Sequence, residues 1–134
     1  MESDVIFLTS KKVGEQFSSN NFLYFEIFNE YETALVDLRI MQLYEKYRFE
    51  LIIVLHEFDL LRVAKLREKL GIKGQSFEHA LQYRDKIKMK SLLKEKSKVK
   101  IPDFTSVSYP TDVVEFIEQY SFPIIVKPAD NAGS

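Results

Sequence analysis

Residues 50–56, ELIIVLH, are apolar without alternation. A strand with one solvated face alternates apolar and polar residues, whereas a continuous apolar run fits a strand buried on both faces, as in a parallel sheet. The segments on either side carry helical spacing. Upstream, YETALVDLRIMQLYEKYRF (31–49) places apolar residues at 34, 35, 38 and 41 and again at 40, 43, 44 and 47, a broad buried face. Downstream, EFDLLRVAKLREKLGIKGQ offers Asp59 as a cap, Leu60, Val63, Ala64, Leu66 and Leu70 as an apolar stripe, and Gly71 as a stop. DVIFL (4–8) and the aromatic-rich NFLYFEIFN (21–29) read as strands. SKKVGEQFSSNN (10–21), between them, carries only a weak helical signal. Strand, helix, strand, helix in this order predicts an α/β fold with a small parallel sheet and right-handed connections.

After Gly74 the pattern changes. SFEHALQYR (76–84) and DKIKMKSLLKEKSK (85–98) predict two short helices with Ser76 and Asp85 as N-caps. VKIPDFTSV (99–107) is extended around Pro102, YPTDVVEFIEQY (109–120) is a helix, and FPIIVKP (122–128) reads as a strand. No repeat or low-complexity segment interrupts the chain.

Hydrophobic content of 46% and charged content of 29% fit a soluble globular protein. No apolar run approaches the ~18 residues of a membrane span. The start, MESDVIFLTSKK, is acidic before its short apolar run, unlike a signal peptide. Cysteine is absent, which removes disulfides and thiolate zinc sites. Nothing argues for export, so a cytoplasmic location is expected. The net charge of −1 hides an asymmetry: residues 1–60 hold five basic against eleven acidic side chains, and residues 61–134 hold 14 against nine. A basic second half predicts an anionic partner there, or the acidic first half itself.

Lys127 ends the apolar run IIV and precedes Pro128. An ammonium in a buried strand is costly unless it emerges toward an anion. The residues after it, ADNAGS (129–134), are small and turn-prone, and such a loop can aim backbone N–H groups at phosphate oxygens. Two readings follow: a phosphate lysine feeding a glycine-containing loop, or a surface lysine reaching water. Residues 83–100 hold seven lysines and Arg84 against two acids. This run is a solvated helix, a nucleic-acid stripe, or a helix with one lysine facing a nucleotide. Lys86, directly after Asp85, is the candidate because helix starts favour phosphate. The run lacks interleaved aromatic residues and any established nucleic-acid motif, so nucleic acid is not the expected partner. His56 and His79 read as lone structural histidines, with His56 and Glu57 retaining interest because ligands sit beyond strand ends in open α/β sheets. Neither GxGxxG nor GxxxxGK[ST] is present. No Ser/His/Asp set or metal-ligand cluster stands out, so neither catalytic residues nor metal ligands are assigned.

The order of these features resembles the ATP-grasp superfamily, in the branch of carboxylate–amine ligases related to biotin carboxylase and carbamoyl phosphate synthetase. LLRVAKLREKLGIKGQSFEHALQYRDKIKMKSLL looks like the helix, Gly turn and DK helix that join that family's first domain to its ATP-grasp domain. IPDF looks like the first strand of the latter, and FPIIVKPADNAGS like the next strand with its nucleotide lysine. The likeness covers roughly residues 58–134. It implies a Rossmann-like pre-ATP-grasp domain over residues 1–83, then a linking helix and the first strands of an ATP-grasp domain over 84–134. It implies that Lys86 reaches the ATP phosphates, that Lys127 contacts phosphate and the adenine edge, and that Ala132, Gly133 and Ser134 open the loop folding over the phosphates. ATP and Mg²⁺ are the implied cofactors, and a small carboxylate activated as an acyl phosphate is the implied substrate. Subunit contacts through the first domain make a homodimer the assembly to test. Half of the family fold has no counterpart in the sequence, including the acids that hold Mg²⁺. The expectation is therefore an N-terminal fragment, inactive by itself. The alternatives are a stand-alone α/β interaction module and a nucleic-acid-binding domain using residues 84–100.

Overall fold

Ile6–Ser10 (β1) and Tyr24–Phe28 (β2) pair in parallel, with Ile6 opposite Tyr24 and Ser10 opposite Phe28. These strands belong to a computed structural model that describes residues 4–130. The chain divides into two compact units, Met1–Phe49 and Glu50–Ser134.

In the first unit, Lys11–Gly14 (α1) follows β1 without a break, and Ala34–Tyr47 (α2) follows β2. Period-two alternation sends Phe7, Thr9, Phe25 and Ile27 to one face of the sheet. There Phe7 and Phe25 stack with ring centroids 5.7 Å apart, Phe22 lies 5.3 Å from Phe25, and Phe17 meets Phe7 edge-on at 5.2 Å. Such pairs add modestly to area burial. Gly14 is buried against the same face, where a side chain would meet Ile27 and Thr9. The opposite face holds Tyr24 and Glu26, which meet Arg39 and Tyr47 of α2. Val36 and Leu43 are the buried apolar residues of α2. Leu43 belongs to the face predicted from the spacing, whereas Val36 does not, and Leu35 and Leu38 of that predicted face are exposed. The weak signal at 10–21 resolves into α1 and a single tight turn at Ser19–Asn21.

The second unit is built from Leu60–Leu70 (α3), Phe77–Arg84 (α4), Lys86–Lys96 (α5) and Pro110–Tyr120 (α6). Its core gathers Val63, Ala64, Leu66, Ile72 and Ala80. Gly71 closes α3 in the left-handed conformation, φ 70°, where a residue without Cβ is favoured. Ser76 caps α4 through the His79 N–H (3.3 Å), and Asp85 caps α5 through the Ile87 and Lys88 N–H groups (2.8 and 3.0 Å). Asp59 does not cap α3. Its carboxylate instead lies 3.4 Å from Arg62, one turn along the helix.

Two predicted strands need correction. Residues 50–56 and 122–128 adopt neither helix nor strand and form no ladder among the described residues, so the sheet described is two-stranded. Leu51, Ile53 and Leu55 are 64, 72 and 91% exposed, while Ile52 and Val54 between them are half-buried. Arg67 of α3 donates to the Ile52 carbonyl and holds that side inward. Residue type favours extended backbone locally, but a ladder needs a second strand, and pairing is a non-local property.

Candidate functional site

The α4–α5 junction breaks one helical run into two. Asp85 adopts an extended conformation (φ −84°, ψ 110°), which turns the chain between Arg84 and Lys86. Its own N–H still donates to the Leu81 carbonyl (2.9 Å), closing α4, while its carboxylate opens α5. One residue therefore serves two helix ends, and the residues before and after it point to different tasks.

Arg84 turns inward and is 6% exposed. Its guanidinium donates to Glu57 Oε1 at 2.6 Å and to the carbonyl oxygen of Asp130, and it stacks over the Phe58 ring at 5.5 Å. A buried cation is tolerated when its donors are satisfied. The partners lie 27 residues upstream and 46 residues downstream. Beside this pair, the Lys86 N–H donates to the Ala129 carbonyl at 2.9 Å. Two successive carbonyls of the 129–130 segment are thus fixed to the α4–α5 junction. The effect is to bring the segment directly after Lys127 against the start of α5, which carries Lys86.

The candidate residues stand as follows. Lys86 is half-buried at the first position of α5, and Lys127 is exposed on the 122–128 segment. Their backbones are joined through Ala129. Ala132, Gly133 and Ser134 lie outside the described residues. Glu57 is engaged by Arg84, and His56 packs on Phe58 with ring centroids 5.3 Å apart. His79 is exposed in the first turn of α4. On α5, Lys90 stacks over Phe104 at 5.3 Å. Among the described residues, no group of three or more His, Asp or Glu side chains is placed to hold a metal ion. No helix among them is long and apolar enough to cross a membrane.

Sequence reading missed Arg84, counting it as one charge in a basic run. Its partners are too far along the chain for any local pattern to announce them. The one available signal was position: the last residue of a helix, next to a capping Asp.

A second polar cluster sits in the first unit. Arg39 Nε and the Tyr24 hydroxyl both donate to Glu26 Oε2 at 2.6 Å, and Arg39 Nη2 donates to the Tyr24 oxygen at 2.8 Å. Burial would raise the Glu26 carboxyl, but the bonds from Arg39 and Tyr24 outweigh it and hold it below the ordinary range. Burial, then the bond to Glu26, pushes the Tyr24 hydroxyl up. The three groups satisfy one another, so the cluster braces α2 on the sheet.

Comparison with curated proteins gives one alignment, 37% identical over 86 residues, to the L-arginine-specific L-amino acid ligase of Bacillus subtilis. The likeness is to a ligase. It covers 64% of this chain and 21% of that protein, so the chain spans about a fifth of the relative's length. No protein-family model matches, and no solved structure does.

Proposed function

We propose that the chain is the N-terminal part of an ATP-dependent ligase of the ATP-grasp type. It would join a carboxylate to an amine or similar nucleophile through an acyl phosphate, and the 134 residues by themselves would be inactive. In this reading residues 1–83 form the α/β domain that precedes the ATP-grasp domain, and residues 84–134 form its linking helix and first strands. The relative's name suggests an amino acid as the substrate class. ATP is the phosphoryl donor, and Mg²⁺ would be held by residues other than those described.

One observation carries the reading beyond the alignment. The start of α5 and the segment after Lys127 are 43 residues apart in sequence, from Lys86 to Ala129, yet are joined by a backbone hydrogen bond of 2.9 Å. The bond brings the segment that follows Lys127 against the helix start that carries Lys86. Phosphoryl transfer asks a protein chiefly for positioning and for cations against the phosphate charge. Lys86 would add its charge where the α5 N-terminus already favours anions, and Lys127 would approach the same phosphates from the other side.

The test is ATP affinity in the full-length protein. Lys86→Ala and Lys127→Ala should each weaken ATP binding by roughly tenfold, the scale of one charge-assisted contact. Unchanged affinity in both variants would remove the assignment, as would ATP hydrolysis by the 134-residue chain that persists in Lys127→Ala.

A further inference from the structure

We propose that Arg84 is a positioning residue that latches the segment carrying Lys127 onto the start of α5. The reason for the latch, an approach of Lys127 to the ligand of Lys86, rests on the nucleotide reading above; the geometry of the latch does not. Two segments converge on this one side chain: the Glu57–Asp59 turn, through the Glu57 carboxylate and the Phe58 ring, and the 128–130 segment, through the Asp130 carbonyl. Glu57 is itself 55% exposed at its side chain, whereas Arg84 is almost fully covered. The carboxylate therefore serves Arg84 more than Arg84 serves it. It offsets the cost of burying the cation and leaves the second arm of the guanidinium for the carbonyl.

The planar fork matters here. Two donors of one guanidinium reach two acceptors on different segments at fixed relative orientation, which a single ammonium cannot reproduce. With Asp130 held, the neighbouring Ala129 carbonyl is presented to the Lys86 N–H, a donor that has no partner within its own helix. The Lys86 amide is thus a reporter of whether the latch is shut. The Ile87 and Lys88 amides, capped by Asp85, report on α5 alone.

The experiment is residue-resolved amide hydrogen exchange on the full chain, comparing wild type with Arg84→Ala, Arg84→Lys and Glu57→Gln. The expected result is a fall in Lys86 protection of about tenfold or more in Arg84→Ala, with Ile87 and Lys88 retaining theirs. Arg84→Lys should not restore Lys86, because it keeps the charge and loses the fork. Glu57→Gln, which leaves Arg84 in place, should produce a smaller loss of the same selectivity and carries the test if Arg84→Ala does not fold. Lys86 protection that is unchanged in every variant, or that falls together with Ile87 and Lys88, would overturn the latch. Titration of the full-length wild type with ATP separates the two ideas: no perturbation near Lys86 would contradict the nucleotide reading and leave the latch standing.

Discussion

Among the described glycines, Gly14 has the closest neighbours. A Cβ there would lie 2.6 Å from Ile27 Cγ1 and 3.0 Å from Thr9 Cγ2, well inside contact distance. Gly14→Val should destabilise the chain by about 1–3 kcal/mol, the usual cost of overpacking, read as a lowered midpoint in denaturant. Two carboxylates give a pH dependence. Glu26 is held below its ordinary range as described, and Asp112 is lowered by the Tyr109 and Ser108 N–H groups that its Oδ2 accepts from (2.9 and 2.7 Å). Because both are depressed in the folded state, their contribution is complete above the unfolded values of about 4.3 for Glu and 3.9 for Asp. It is lost as pH falls through the lower folded values. The double variant Glu26→Gln, Asp112→Asn should therefore flatten the stability profile below about pH 4. An acid limb as steep as wild type would contradict this. None of these roles was legible in sequence. Gly14 and Asp112 look like ordinary surface residues, and Arg84 like one charge among many, because the partners of Gly14 and Arg84 are non-local.

At the level of elements, helices were readable because their information is local. The apolar spacing found α2, α3 and α6, and the caps Ser76 and Asp85 fixed the starts of α4 and α5. Asp85→Ala should cost about 0.5–2 kcal/mol, the range for loss of an N-cap, and should fray the first turn of α5 by circular dichroism. Strands were readable as extended segments but not as members of a sheet. β1 and β2 pair, whereas 50–56 and 122–128 join no sheet among the described residues. With Leu55 91% exposed, Leu55→Ser should change the stability of this chain by no more than about 0.5 kcal/mol. A loss above 2 kcal/mol would mean that the continuous apolar pattern, and not the exposed conformation, describes this segment.

For the whole molecule, the two compact units carry opposite charge: residues 1–49 hold five basic against eight acidic side chains, and residues 50–134 hold 14 against 12. The net positive charge therefore belongs to the part that holds α4, α5 and Lys127. That much was legible from composition, and the candidate lysines from their local contexts. That the two lysine-bearing segments are tied together was not, since it depends on Arg84 and on one backbone bond between Lys86 and Ala129. The central claim is that these lysines serve one ligand. It is tested most directly by a double-mutant cycle on ATP affinity in the full-length protein, using Lys86→Ala, Lys127→Ala and the pair. Shared contact with one triphosphate predicts coupling: the double variant should fall short of the product of the single losses by roughly threefold or more. Independent losses that multiply, or no loss at all, would contradict the account.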